Sequence, residues 1–234
     1  MDVVAHRGAS AYAPEHTFAA YDLALAQEAD VLELDVRRTA DGELVLVHDP
    51  TLLRIAGDPR GVEGLTRAAI EELDAATRPP SFEAFLARYA VVSRLLVDLK
   101  DPTPDWEGRV VEAIERHDLR RRAVVQSFDM EALRRLRRRA PWLALSALFP
   151  REVAPADHLA AAAGFATGIG PWHGTVDAEL VAAAAARALA VRPWTVDEPA
   201  EMQRLLALGV DAIITNAPDV AVAVVRGTLL PAAA

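Results

Sequence analysis

Val31-Leu32-Glu33-Leu34-Asp35-Val36 decides the fold. Side chains alternate across a strand, so Glu33 and Asp35 share one face while Leu32, Leu34 and Val36 share the other. Other short apolar runs of the same kind recur along the chain at 3–6, 95–99, 123–127, 143–148, 167–170, 190–194 and 211–215. Helix-like patterns lie between them, at about 17–28, 81–89, 106–117, 129–139, 155–163, 177–188, 199–208 and 218–226. Asp129 before Met130-Glu131 and Asp177 before Ala178-Glu179 are helix-start signals, and Gly209 after Leu208 is a helix stop. Eight strand-then-helix units predict an α/β fold, a (β/α)₈ TIM barrel. A doubly wound open sheet is the other reading of the alternation, but no Gly-rich dinucleotide loop accompanies it.

One interval interrupts the alternation. Leu44–His48 reads as an extra strand behind the turn Asp41-Gly42, and residues 50–64 contain Pro50, Gly57, Pro59, Gly61 and Gly64. This predicts a short insertion after the second strand, at about 44–64, forming a loop or lid over one end of the barrel. The expectation is a single domain over 1–234, with 227–234 as a loose tail.

Composition narrows the function. At 234 residues the chain suffices for one sizeable core, and 52% hydrophobic content is far from a disordered chain. A formal net charge of −9 argues against general nucleic-acid or anionic-membrane binding, so an anionic substrate needs local positive charge. The absence of cysteine excludes disulfides, thiolate metal sites and cysteine nucleophiles. No basic leader or long apolar stretch precedes Val3-Val4-Ala5, which sets the expectation of a cytoplasmic enzyme without stable membrane insertion; the oligomeric state is open. Lys100 is the chain's single lysine against a background rich in arginine. Chance retention explains it, or a site that wants a compact ammonium.

The unusual polar residues fall where strands end, which is where barrels gather catalytic groups. His6-Arg7 end the first strand, Glu33 and Asp35 line the second, and Asp98 and Lys100 close the third. Gln126-Ser127, Trp194 and Thr215-Asn216 end later ones. Inward carboxylates repel one another and are poorly solvated, so they need a partner. A hard divalent cation, Mg²⁺ or Ca²⁺, suits the oxygen ligands of Glu33, Asp35 and Asp98; the alternative is an internal salt-bridge network with Arg7 and Lys100. Imidazoles titrate near neutral pH, which qualifies His6 and His48 as proton carriers. His117, His158 and His173 read as ordinary structural residues, His16 as intermediate, and the run Arg134–Arg139 as a solvated helix face.

Together these residues resemble the glycerophosphodiester phosphodiesterase family. The resemblance rests on His6-Arg7-Gly8, Pro14-Glu15-His16-Thr17, Glu33-Leu34-Asp35, and Asp41-Gly42 leading to His48-Asp49. It continues through Asp98-Leu99-Lys100, Gln126-Ser127-Phe128, Trp194-Thr195-Val196-Asp197 and Thr215-Asn216-Ala217-Pro218. It implies a divalent cation on Glu33, Asp35 and Asp98, catalysis by His6 and His48, and substrate or phosphate contacts from Arg7, Lys100, Glu15 and Trp194. The implied reaction is metal-dependent hydrolysis of a small glycerophosphodiester to sn-glycerol 3-phosphate and an alcohol, through a cyclic phosphate. Two positions depart from the family pattern: His16 stands where Asn is usual, and Asp98 where Glu is more common. Asp at that place resembles the sphingomyelinase D-type phospholipases, which keeps phospholipase D-like cleavage of lysophospholipids or sphingolipids as an alternative. A Schiff-base lyase using Lys100 is a second alternative, and a phosphate-ligand binding protein without turnover a third.

Overall fold

The computed structural model describes residues 1–104 and 106–229. Among these, eight parallel strands form a nearly closed barrel with helices between them. They are β1 (Asp2–Ala5), β2 (Val31–Arg38), β3 (Arg94–Leu99), β4 (Ala123–Ser127), β5 (Ala144–Leu148), β6 (Gly168–Gly170), β7 (Ala190–Val191) and β8 (Ala212–Thr215). The helices of the barrel layer are α1 (Phe18–Ala26), α2 (Phe82–Tyr89), α3 (Glu107–Arg116), α4 (Met130–Arg139), α5 (Pro155–Ala162), α6 (Ala178–Ala185), α7 (Pro199–Leu208) and α8 (Pro218–Val225), besides two short helices in the excursion after β2, Leu53–Ala56 and Arg67–Glu71. Of the C-terminal segment expected to be loose, 230–234 lie outside the described residues.

The seventh strand is shorter than the 190–194 run suggests, because Pro193 has no N–H for the ladder. The seam still closes through single bonds: Asp211 N–H donates to Val191 C=O (3.1 Å), Ile214 N–H to Pro193 C=O (3.0 Å) and Val196 N–H to Ile214 C=O (2.8 Å). The expected helix starts are present. The Asp129 carboxylate accepts from Ala132 N–H and Asp177 from Leu180 N–H, and Gly209 ends α7 in the left-handed region at φ 79°.

Register explains where the polar residues go. β2 and β3 pair with Asp35 opposite Asp98 and Glu33 opposite Leu96. Leu32, Leu34 and Val36 turn outward and are fully buried against the helices, so β2 is sequestered on both faces. Beneath α1 and α2, Tyr21, Phe85 and Tyr89 pack with ring centroids 4.7–5.5 Å apart, anchoring the first βα loop to the core. After β2 the chain turns back as an antiparallel strand, Leu44–Leu46. A small ribbon follows, Thr51–Leu52 with Asp58–Gly61, then the short helix Arg67–Glu71. This excursion carries its own apolar cluster, including Val47, Leu52, Val62 and Ile70.

The turn after β1 is the tightest point near the polar face. Arg7 (φ 58°) and Gly8 (φ 84°) are both left-handed, and a Cβ on Gly8 would lie 2.6 Å from the Ala20 carbonyl carbon. Gly8→Ala therefore faces both an unfavourable φ and backbone overlap. It is expected to lower stability by more than ~1 kcal/mol in denaturant unfolding; an unchanged midpoint contradicts this account.

Candidate active site

The turn through Arg7 aims its backbone N–H at Glu33, donating to Oε2 at 3.0 Å. Strain at a non-glycine residue is tolerated here because the buried carboxylate needs that donor. Glu33, Asp35 and Asp98 are 1%, 1% and 4% exposed, and each offers an oxygen within 4.8 Å of the others'. Among the described residues this is the one group of three or more such side chains whose ligand atoms converge.

Two cations compensate the acids. Lys100 Nζ lies 2.6 Å from Asp98 Oδ2 and 3.1 Å from Asp35 Oδ1, and Arg7 Nε lies 2.9 Å from Asp35 Oδ2. The compensation is uneven. Burial, then the neighbouring Asp35 and Asp98, push Glu33 well above the usual carboxylate range. Burial acts to raise Asp35 too, but Lys100, His16 and Arg7 outweigh it and hold it well below. Burial raises Asp98 to about 6. Asp98 Oδ1 is buried without any hydrogen-bond partner. Two flanking cations therefore leave part of the carboxylate oxygen surface unmet, and an all-oxygen donor set of this kind fits Mg²⁺ or Ca²⁺.

Both histidines are oriented from behind. His6 Nδ1 lies 2.7 Å from Asn216 Oδ1, and the Asn216 amide is set by its Nδ2–H donating to Asp197 Oδ2 at 2.6 Å. Asn216 Oδ1 is thus the acceptor, Nδ1 carries the proton, and Nε2 keeps its lone pair. Burial, then the Arg7 charge, lower His6 to about 4. His48 Nδ1 donates to Asp49 Oδ1 at 2.7 Å, and burial lowers this imidazole as well. Asp49 in turn accepts from Arg54 Nε (2.6 Å), whose Nη groups reach Glu15 at 2.7 and 2.8 Å. One arginine on the excursion thus ties the first βα loop to the residue behind His48.

Of the residues singled out from sequence, His6, Arg7, Glu33, Asp35, His48, Asp98, Lys100 and Trp194 line one cavity of about 210 Å³. Glu15 stands behind it, bonded to Arg7 and Arg54. Trp194 is pinned by its Nε1–H donating to Gly170 C=O at 2.8 Å, edge-on to Phe128. A larger groove of about 720 Å³ lies elsewhere, between α5 and α6; half of its lining residues are alanines, and it brings together no comparable group of acids and imidazoles.

His16 proves closer to the acids than its sequence position suggests. It is buried, with Nε2 2.9 Å from Asp35 Oδ2 and Nδ1 2.8 Å from the Tyr21 hydroxyl. The Tyr21 phenol is held protonated by burial, so it donates to Nδ1 and leaves Nε2–H for Asp35. The other three histidines serve elsewhere: His158 stacks on Phe149, His117 bonds Glu83 and His173 bonds Glu201. The arginine run of α4 is less free than a solvated face: Arg135 grips Glu107, Arg137 the Phe165 carbonyl and Arg139 Glu112.

The chain is similar to known proteins in sequence and in fold. Residues 6–220 match the model of the glycerophosphoryl diester phosphodiesterase family. A glycerophosphodiester phosphodiesterase of Caldanaerobacter subterraneus subsp. tengcongensis is 31% identical over 96% of this chain and 97% of its own. One from Bacillus subtilis is 31% identical over 92% and 83%. The crystal structure of a glycerophosphodiester phosphodiesterase from Agrobacterium tumefaciens superposes with a TM-score of 0.84 at 28% identity, covering 95% of this chain and 99% of that one.

The Arg54 bridge has a readable consequence. Arg54→Ala removes a cation near His48 and leaves Asp49 to the imidazole alone, so the His48 pKa is expected to rise in an NMR titration. A lower or unchanged value shows that Arg54 does not act through Asp49.

Proposed function

The chain belongs to the glycerophosphoryl diester phosphodiesterase family and is a phosphodiester hydrolase, and we propose that it cleaves small glycerophosphodiesters to sn-glycerol 3-phosphate and an alcohol with a divalent cation and two histidines. The observation that carries this reading is the convergence, in one cavity, of three buried carboxylates with two imidazoles whose Nδ1 atoms are both engaged from behind. Glu33, Asp35 and Asp98 would hold Mg²⁺ or Ca²⁺. When bound, such a cation supplies a Lewis acid that stabilises charge on the phosphoryl oxygens. Arg7 and Lys100 line the same cavity and are placed to hold phosphoryl oxygens, and Trp194 forms a wall for the substrate.

The proton inventory then divides by partner. His6 is backed by a neutral amide and has a free Nε2 lone pair, so it takes the proton from the glycerol hydroxyl that attacks phosphorus. His48 is backed by the Asp49 carboxylate, which opposes the lowering by burial and steadies the imidazolium as it forms, so it delivers a proton to the departing alcohol oxygen. The P–O bond to the alcohol breaks as the ring P–O bond forms. Water then opens the cyclic phosphate with the two roles exchanged. Lys100 is unsuited to imine chemistry: Asp98 and Asp35 outweigh its burial and hold the ammonium protonated.

Glycerophosphocholine and glycerophosphoethanolamine are expected to release sn-glycerol 3-phosphate, with activity lost to EDTA and restored by Mg²⁺ or Ca²⁺. Full turnover after exhaustive metal removal sinks the cation assignment, and preferential turnover of lysophospholipids in the same panel selects the phospholipase D-like reading. His6→Ala and His48→Ala are each expected to lower kcat by at least ~10²-fold.

The cation carries a pH signature. Glu33 and Asp98 are raised, so below about pH 6 at least one proton must leave before the cation is bound. Affinity therefore falls as the pH drops through about 6, roughly tenfold per unit for each displaced proton. Calorimetric titration in two buffers of different ionisation heat reads that proton release directly; pH-independent affinity between pH 5 and 7 contradicts it.

A further inference from the structure

At the opposite end of the barrel from the acids, the first residues of the strands surround a second cavity of about 190 Å³. Its polar lining is almost wholly basic: Arg94, Arg120, Arg121, Arg122 and Arg192, against Asp2. Two of these are already engaged. Arg94 Nη1 donates to Asp2 Oδ2 at 2.7 Å, and Arg120 Nη2 donates to Glu115 Oε1 at 2.7 Å. The side chains of Arg121, Arg122 and Arg192 have no hydrogen bond or ion pair among the described residues.

Arg192 is the unusual member. β7 pairs with β6 so that Val191 faces the helices with Ile169, and Arg192 turns into the barrel. Its guanidinium occupies the space a side chain at position 168 would fill, and Gly168 is what admits it. Its Nη1 is buried without an acceptor, and burial lowers its pKa despite Asp211 and Asp2 nearby. Asp211 acts on it only through space: the Asp211 Oδ2 accepts from Val191 N–H at 2.7 Å, and no hydrogen bond or ion pair joins Asp211 to Arg192 among the described residues. The adjacent position in register with Gly168 is Ser146, whose Oγ is likewise buried and unpartnered. A desolvated cation without an acceptor is costly, and here it stands at a cavity already short of negative charge.

We propose that this basic pocket at the N-terminal end of the barrel binds a small dianionic oxyanion of the phosphate class, separately from the catalytic cavity. Three arginines whose side chains make no ion pair among the described residues suit a dianion, and the guanidinium fork matches tetrahedral phosphoryl oxygens. The cavity is small enough for inorganic phosphate or the phosphoryl end of a small phosphomonoester. Either source presents the same group to Arg192, with Arg121 and Arg122 at the entrance.

The test is calorimetric titration of the Mg²⁺-loaded enzyme with inorganic phosphate and, in a second arm, with glycerol 3-phosphate. Wild type is expected to show a binding event that a catalytic-site substrate does not displace. Arg192→Met is expected to weaken that event at least ~10-fold, with kcat/KM unchanged within ~2-fold. Arg121→Ser with Arg122→Ser alters only side chains at the entrance, so it decides the matter even where Arg192→Met folds poorly. Binding in either arm that responds to these substitutions supports the site and identifies the source. An isotherm with only substrate-displaceable binding, or one untouched by the variants, overturns it, as does equal thermal stabilisation by chloride at matched ionic strength.

Discussion

Three carboxylates buried at one end of a barrel are the constraint from which most of this structure follows. Glu33, Asp35 and Asp98 lie on adjacent strands in register, nearly out of solvent, and their mutual repulsion must be met by something. The protein meets it in pieces: a backbone N–H from a left-handed Arg7, one guanidinium, the single ammonium, and a histidine on Asp35. Every piece arrives from a different segment. The first βα loop, β2 and β3 are thereby locked to one another by charge as well as by packing.

That compensation stops short of completion, and the shortfall is what makes the site useful. A fully neutralised network would be a structural ion cluster. Here Glu33 is driven toward its protonated form while Asp35 is held ionised, and Asp98 keeps an oxygen without a partner. A site in this condition would gain by exchanging protons for a hard cation, as proposed for these three acids. Lys100 is central to the balance. It is positioned by two acids, and an arginine fork would demand a planar approach that a point charge between two carboxylates does not.

Much of this was legible in the sequence, because strand periodicity is a strong constraint. Alternation alone puts Glu33 and Asp35 on one face, and strand ends collect His6, Asp98, Lys100 and Trp194. What escaped depends on geometry that spacing does not encode. His16 reaches Asp35 because its own backbone is left-handed (φ 59°), which turns the side chain inward. Asn216 and Asp197 orient His6 across the barrel seam, some 210 residues away along the chain. Arg54 sits on a short helix within the Gly- and Pro-rich excursion, a stretch that reads only as a loop. On α4, Arg138 and Arg139 are exposed as a solvated face requires, while Arg135 reaches the buried Glu107 on the neighbouring helix α3, an acceptor that the run itself does not reveal.

The two ends of the barrel invert one another. At the C-terminal end of the strands, acids outnumber what the flanking cations can satisfy; at the N-terminal end, arginines outnumber the acids. At the acidic end, and at Arg192 on the other, charged side chains point into a narrow interior where hydration is poor and charge is costly; Arg120, Arg121 and Arg122 come instead from the loop before β4. In each case a small residue or a tight turn admits the charged group: Gly8 lets the Arg7 turn close against α1, and Gly168 lets the Arg192 guanidinium enter. A chain that placed charge inward only through loose composition would have no reason to remove a side chain opposite it. Gly168, in register with Ala190, leaves the space that the Arg192 guanidinium fills, so the placement of this arginine depends on a position without a side chain and not on composition alone.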